Sequence, residues 1–268
     1  MYAGGDLSGY GVIYRHNFFH HLMHVPGKVE RSGIHLDDLQ AGATCIGNVF
    51  YKSAGKGIFM NGGAGNTMIG NVFLAGYRGL YNVGHGAQKN HDRQLAAFDP
   101  SDDYHNTKEN YVGRVERSLG KEAWNQEPWL SRHPLFAQVM NDADQYGRMW
   151  PIRCTVRDNW FYDNDQGDHT IWSRVAPEAA AKSTIEGDRV LDPKVFVNYD
   201  VLDLRIRPNA EHAPELPFEK IGLYLDELRG QMPDKAIYRQ AIQQHFDGVP
   251  SMPGTHKRYS SARSLLYR

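Results

Sequence analysis

The sequence predicts an all-β fold, a right-handed parallel β-helix in which short coils stack into a solenoid. A motif with Asn two residues before Phe recurs along the chain, and a Gly-led strand motif recurs at intervals of 24 and 22 residues. Val, Ile, Phe and Tyr fill the short runs, with Gly and Asn at the corners, which is typical of strands and turns. Periods of about 20–50 residues indicate repeat architectures, so coils of about 22–24 residues are expected.

The Asn motif appears four times, as Asn17 with Phe19, Asn48 with Phe50, Asn71 with Phe73 and Asn159 with Phe161. Stacked coils bring like residues above one another, about 4.8 Å apart. We therefore expect the Phe column to fill the interior of the solenoid. The Asn column is expected to connect successive coils through side-chain hydrogen bonds.

The Gly-led motif predicts which side chains face outward. It begins at Gly33, Gly57 and Gly79. Strand alternation after Gly33 turns Ile34 and Leu36 inward and His35 and Asp37 outward, with Asp38 at the corner. One coil further, Phe59 and Asn61 are expected above His35 and Asp37, followed by Tyr81 in the next coil.

Residues 1–230 are predicted to form the β-helix domain, with an insertion at 88–150 where the periodicity stops. The insertion is charged and aromatic, and its residues 114–123 and 135–144 have helical patterns. Two further coils are expected through 158–172 and 195–207. A polar, partly helical C-terminal tail is expected over residues 231–268.

Composition excludes several functional classes. Lys and Arg number 30 against 31 Asp and Glu, so no overall field favours nucleic acid. No apolar run is long enough to cross a bilayer. Cys45 and Cys154 are too few and too far apart for a disulfide framework or a zinc site, and both are expected to be small buried hydrophobic residues. The N-terminal residues carry no signal-peptide pattern and resemble the middle of a solenoid, so a truncated start is expected.

The outward face gathers His, Asp, Asn, Tyr and Phe from neighbouring coils, which is the composition of a carbohydrate cleft. Glycoside hydrolysis requires two carboxyl groups, and Asp37 with Asp38 is the candidate catalytic pair. The candidate substrate-binding residues are His35, Asn61, Arg78, Tyr81, His85, His20 and His21. The alternative is structural: Asp38 caps a turn, Asp37 is solvated, His85 is a turn residue and the other residues are ordinary surface groups.

The segments GIHLDD, GNVFY and GIFMNGGAGNTMIGNVF resemble the catalytic-side coils of the pectate-lyase-like superfamily of right-handed parallel β-helix enzymes. The WNQEPWLSRHPLF insertion and the PFEKIGLYLDELR ending resemble large bacterial proteins of this kind, some of them grouped with glycoside hydrolase family 141. The resemblance implies action on plant or algal polysaccharides with paired Asp residues. It also implies a full-length protein that is secreted or periplasmic. Only Asp37 and Asp38 match its LDD feature.

The leading hypothesis is a polysaccharide-active glycoside hydrolase that needs no cofactor, with a polysaccharide or oligosaccharide as its partner. A lyase or epimerase acting on uronates is the first alternative. It would use a basic residue such as Lys52, Lys56 or Arg78, often with calcium on clustered carboxylates. A non-catalytic carbohydrate-binding or adhesive scaffold is the second alternative, because a fold does not fix a function.

Overall fold

The chain is mostly β-structure and forms three parallel sheets of five strands each. The computed structural model describes residues 1–4, 9–22, 31–37, 40–53, 55–84, 126–139, 151–175, 177–218 and 221. Sheet A contains β1 (Tyr2–Gly4), β4 (Ser32–Asp37), β7 (Lys56–Asn61), β10 (Arg78–Val83) and β13 (Ile171–Ser173). Sheet B contains β2 (Ile13–Arg15), β5 (Thr44–Ile46), β8 (Thr67–Ile69), β11 (Thr155–Arg157) and β14 (Thr184–Glu186). Sheet C contains β3 (Phe18–His20), β6 (Val49–Tyr51), β9 (Val72–Leu74), β12 (Trp160–Tyr162) and β15 (Arg189–Val190).

Each pass of the chain contributes one strand to each sheet in the order A, B, C. Each strand pairs in parallel with the strand three places further along the chain, as β4 does with β7 and β7 with β10. This is an all-β parallel solenoid, as the sequence predicts, and it is compatible with a parallel β-helix. Among the described residues, no helix is long and apolar enough to cross a membrane.

A phenylalanine stack fills the interior, which confirms the predicted Phe column. Ring centroids are 4.9 Å apart for Phe19 and Phe50, 5.0 Å for Phe50 and Phe73, and 5.1 Å for Phe73 and Phe161. Glycine makes room beside each of the last three rings. A Cβ added to Gly57, for example, would lie 2.5 Å from the Phe73 ring. The Gly-led strand motif and the Phe motif are therefore two halves of one packing arrangement.

An asparagine ladder joins the coils at the corner between sheets B and C, again as predicted. The Nδ2 of Asn48 donates to Oδ1 of Asn71 over 3.0 Å, and the Nδ2 of Asn71 donates to Oδ1 of Asn159 over 3.0 Å. Asn17 begins the ladder and Asp188 ends it. The partners Asn48 and Asn71 are 23 residues apart, whereas Asn71 and Asn159 are 88 apart because the insertion lies between them. The ladder keeps its geometry across that interruption.

The segment after β15 does not form the coil predicted for Val195–Arg207. Instead β16 (Phe196–Asn198) and β17 (Asp203–Ile206) pair antiparallel, and a 3-10 turn over Tyr199–Val201 reverses the chain between them. This segment covers the outer face of sheet C, where it shares an apolar cluster with Val49, Val72 and Trp160. Those outward side chains are apolar, so they need a cover that a further coil would not provide.

The described part of the insertion is helical and lies at the corner between sheets A and B. Helix α1 spans Trp129–Arg132, and residues 134–139 are also helical, which confirms part of the helix predicted for 135–144. Phe136 is buried, with its ring 5.0 Å from that of Tyr10. A further short helix, α2 (Pro177–Ala180), connects β13 to β14. The helix predicted for 114–123 and the tail at 231–268 lie outside the described residues.

Candidate functional site

The candidate site is the outer face of sheet A, where outward side chains of successive coils form columns. Ile34 and Leu36 are fully buried, whereas His35 and Asp37 are half-buried on the outside, as the alternation predicts. The strand register places one aromatic column across four coils, consisting of Tyr2, His35, Phe59 and Tyr81. The next outward column contains Asp37 and Asn61. We call these six residues the sheet A face.

The Asp37 carboxylate is bound from both neighbouring coils. The Tyr2 hydroxyl donates to Oδ2 over 3.0 Å, and the Asn61 amide donates to Oδ1 over 2.8 Å. Nε2 of His35 lies 3.3 Å from the same Oδ1, and 19% of the Asp37 side chain is exposed. Asp37 is thus oriented by neighbours that present hydrogen-bond donors, while one part of it still meets solvent. A carboxylate in that setting is placed as an acceptor, suited to act as a base or nucleophile.

The rings of the aromatic column pack mainly against one another. Centroids are 5.4 Å apart for Tyr2 and His35, 4.6 Å for His35 and Phe59, and 5.8 Å for Phe59 and Tyr81. Nζ of Lys56 lies 4.4 Å from the Phe59 centroid. The His35 and Phe59 ring faces are therefore occupied within the protein. Tyr2, which is 65% exposed, is the aromatic side chain of the column best placed to stack on a sugar ring.

Two cations lie at the starts of the same strands. Lys56 is almost fully buried, with Nζ 5.4 Å from the Tyr81 centroid as well as close to Phe59. Cζ of Arg78 lies 4.6 Å from the Tyr81 centroid, and Arg78 is the register partner of Lys56. Cations over aromatic rings are attracted by the ring quadrupole. The face is consequently positive at the strand starts, aromatic in the middle, and carries Asp37 and Asn61 at the strand ends.

Two of the predicted site residues, Asp38 and His85, lie outside the described residues. Asp37 is thus the described member of the proposed catalytic pair, and the pairing itself stays a prediction. The structure brings His35, Asn61 and Tyr81 to the sheet A face, and it places Arg78 beside Tyr81.

His20 and His21 belong to a different part of the molecule. His20 ends β3 in sheet C, in register with Tyr51, and its Nδ1 lies 3.0 Å from Nδ1 of His21. Burial lowers the pKa of His20, and burial together with His20 and Lys52 lowers the pKa of His21 to about 3. Both imidazoles are therefore neutral at pH 7. Their predicted role in binding substrate at the sheet A face has no support from this position on sheet C.

Sequence reasoning missed one contact of the site. Tyr2 precedes the first recognisable repeat, so no motif marked it as a partner of Asp37. Lys56 was named as a basic residue of the lyase alternative, and the structure places its Nζ 4.4 Å from the Phe59 centroid. Lys52, by contrast, lies over Tyr51 of sheet C, where burial lowers its pKa.

No group of three or more His, Cys, Asp or Glu side chains is placed to hold a metal ion within the described part of the chain. Compared with protein-family models, with curated proteins and with solved structures, the chain shows no significant match.

Proposed function

We propose that this chain is a polysaccharide-active glycoside hydrolase whose substrate lies along the sheet A face. The observation that carries the proposal is the Asp37 carboxylate, held by Tyr2 and Asn61 from the coils on either side and still partly exposed. The proposed architecture is a right-handed parallel β-helix of the pectate-lyase-like kind, with likeness to glycoside hydrolase family 141. The full-length protein is proposed to be secreted or periplasmic.

The surroundings of Asp37 suggest how the two carboxyl groups divide the work. A hydrolase needs one carboxylic acid to protonate the leaving oxygen and one carboxylate to act as base or nucleophile. Tyr2 and Asn61 both donate to Asp37, which suits the carboxylate role. Asp38 is then assigned the acid role. His35, with Nε2 3.3 Å from Asp37, is proposed to orient the carboxylate.

The test is a comparison of Asp37→Asn, Asp38→Asn and Asp158→Asn. Asp158 is a matched control because it is exposed at the corner between sheets B and C and adopts a left-handed φ of 55° that Asn also tolerates. Reducing ends released from a panel of plant and algal polysaccharides are measured, with circular dichroism as a check of folding. We expect the first two variants to lose turnover and Asp158→Asn to retain it. Full turnover in folded Asp37→Asn excludes the proposed role.

A second candidate, a uronate lyase or epimerase, is favoured by the two cations on the same face. Arg78 is half-buried beside Tyr81, where it suits a sugar carboxylate, whereas Lys56 is almost fully buried and adds positive charge beneath the same face. Calcium is the cofactor to test under this hypothesis. An unsaturated product absorbing in the near ultraviolet identifies a lyase, and incorporation of solvent deuterium at C5 without cleavage identifies an epimerase. Binding of polysaccharide without either reaction, and without hydrolysis, identifies the non-catalytic scaffold.

A further inference from the structure

One inward column of sheet A changes from apolar to polar along the solenoid. In β4, β7 and β10 the same register position is held by Leu36, Met60 and Asn82, and all three side chains are fully buried. Trp172 of β13 is the next member of this column and is the register partner of Asn82. A side-chain amide therefore lies in the interior at a position where the neighbouring coils carry Leu and Met.

Three hydrogen-bonding atoms of this column have no partner among the described residues. They are Nδ2 and Oδ1 of Asn82 and Nε1 of Trp172, and all three atoms are buried. The indole of Trp172 packs against the interior cluster that also contains Leu36 and Met60. Roughly 90% or more of the buried polar groups in native proteins are paired with protein or with ordered water. An amide and an indole N–H on neighbouring strands therefore indicate a shared partner.

The side chains around these atoms define what that partner can be. Val156 of β11 and Phe161 of β12 line the interior in the same coil as β10, and both are apolar. The thiol of Cys154 already donates to the main-chain oxygens of Gly63 and Ile152. A charged partner is disfavoured, because moving an ion into apolar surroundings costs far more free energy than moving a neutral polar group. The partner must be small and neutral, and it must both donate and accept hydrogen bonds.

We propose that Asn82 and Trp172 together bind an internal water molecule between β10 and β13. Water accepts hydrogen bonds from the indole Nε1–H and from the amide Nδ2–H, and it donates to the amide Oδ1. A buried water typically makes about three hydrogen bonds to protein groups, and this column offers three. Water is also small enough to reach the interior through brief local openings of the fold.

The water site joins two strands that are far apart in sequence. β10 ends at Val83, ahead of the insertion, whereas β13 (Ile171–Ser173) comes after it. A water-mediated hydrogen bond is enthalpically nearly as good as a direct one. It also tolerates small changes in the separation of the two side chains, because the water can shift its position. The site therefore adds a polar contact between coils on the two sides of the insertion.

The direct test is nuclear magnetic resonance of the indole N–H groups. The chain has five tryptophans, and the resonance of Trp172 is identified by its loss in Trp172→Phe. In the wild type we expect this N–H to show a nuclear Overhauser effect to water. Asn82→Leu, which introduces the side chain that Leu36 has at the same register position, should remove the effect. A Trp172 resonance without any effect to water in the folded wild type overturns the proposal.

A double-mutant cycle followed by urea unfolding is the second test. We expect Asn82→Leu to lower the folding equilibrium constant about tenfold, because the water and the Trp172 N–H lose a partner. Trp172→Phe also removes ring volume, so the coupling between the two substitutions is the quantity to read. The double variant should lose less stability than the sum of the two single losses. The matched control combines Asn82→Leu with Trp160→Phe on the outer face of sheet C, where the losses should add.

Two results of the cycle overturn the proposal. The first is an Asn82→Leu variant that is more stable than the wild type, because replacing an amide that has no partner stabilises a fold. The second is additive losses for Asn82→Leu and Trp172→Phe, because the two groups then share nothing. Circular dichroism confirms that each variant remains folded. Polysaccharide turnover is not part of either readout, so the outcome is independent of the proposed hydrolase activity.

Discussion

The side-chain amide of Asn61 donates a 2.8 Å hydrogen bond to Oδ1 of Asp37 across two neighbouring coils. One contact therefore serves both the solenoid and the candidate site, because it joins β4 to β7 and fixes the carboxylate that we propose for catalysis. Replacing Asn61 therefore tests how much this hydrogen bond contributes to the stability of the fold.

Asn61→Asp is predicted to destabilise the fold at pH 7 by about 2 kcal/mol, because a hydrogen bond to a charged group is lost and two carboxylates face each other. Repulsion raises the pKa of the new pair in the folded state, so the lost stability returns as the pH falls and one carboxyl becomes protonated. Urea unfolding at pH 7 and pH 4 measures this. Asn61→Ala is the control, and its loss of stability should show a much weaker pH dependence. Equal losses at both pH values for Asn61→Asp would contradict the prediction.

Gly57→Ala is predicted to cost about 1–3 kcal/mol through overpacking. The added Cβ meets the Phe73 ring at 2.5 Å and the main-chain oxygen of Gly79 at 2.9 Å, and the backbone oxygen cannot move away cheaply. Gly70→Asn is the control. No atom lies within 4 Å of a Cβ at Gly70, and its φ of +62° is one that Asn tolerates. Thermal unfolding should show a clear loss for Gly57→Ala and little change for Gly70→Asn; similar melting temperatures for both would refute the packing argument.

Asn71→Ala is predicted to cost about 3 kcal/mol or more, because several buried polar groups lose their partner together. Its side chain accepts from the main chain and the amide of Asn48, and it donates to Asn159 and to the main-chain oxygen of Cys45. Asn17→Ala, at the partly exposed first rung, should cost much less. The free energy of unfolding in urea compares the two variants. A similar cost for both would show that the buried ladder adds nothing beyond an exposed hydrogen bond.

Acid is predicted to destabilise the fold through His21. The folded pKa is lowered to about 3, so between that value and the ordinary value of about 6.5 the unfolded chain binds more protons. The contribution of neutral His21 to the free energy of unfolding is therefore complete above about pH 6.5 and is lost as the pH falls toward 3. His20, the ring of Tyr51 and Lys52 are among the groups that contact the imidazole or act on it. Asn tolerates the φ of 51° at this position, so His21→Asn should keep the backbone. The melting temperature of this variant should fall less between pH 7 and pH 4 than that of the wild type. An unchanged slope in that variant would assign the acid sensitivity to other groups.

Both cysteines are predicted to be unreactive in the native protein. Cys45 and Cys154 are free and buried, and burial raises the pKa of each thiol to about 12. The thiolate is the reactive form of cysteine. A chromogenic disulfide reagent at pH 8 should therefore react with almost no protein thiol until denaturant is added. Two thiols per chain should then react. Rapid modification without denaturant would show that the solenoid opens readily around these coils.

The repeating parts of the fold were predictable because stacking converts a sequence period into spatial contact. The inward positions of Ile34 and Leu36 follow from strand alternation, and the asparagine ladder follows from recurrence of one motif. The segment 195–207 was not predictable in this way. Short alternating runs look the same whether the strands pair in parallel within a coil or antiparallel outside it.

The candidate site was predictable to the same degree. His35, Asp37, Asn61 and Tyr81 follow from their position in the repeat. Tyr2 does not, because the repeat motif is missing from its strand. The placement of His20 could have been read from its motif. His20 follows Phe19 of the Asn–Phe motif, which recurs in the strands of sheet C, whereas the Gly-led motif recurs in those of sheet A.

The unbroken ladder across the insertion has a consequence for the order of folding. Asn48 and Asn71 close a loop of 23 residues, whereas Asn71 and Asn159 must meet across 88. The extra entropic cost of closing the longer loop is small, about 1 kcal/mol for two doublings of loop length, so it changes the final stability little. The rate is affected more, because distant contacts form slowly. During synthesis, the coils before the insertion can therefore assemble as a template, and those after it add to an edge that already exists.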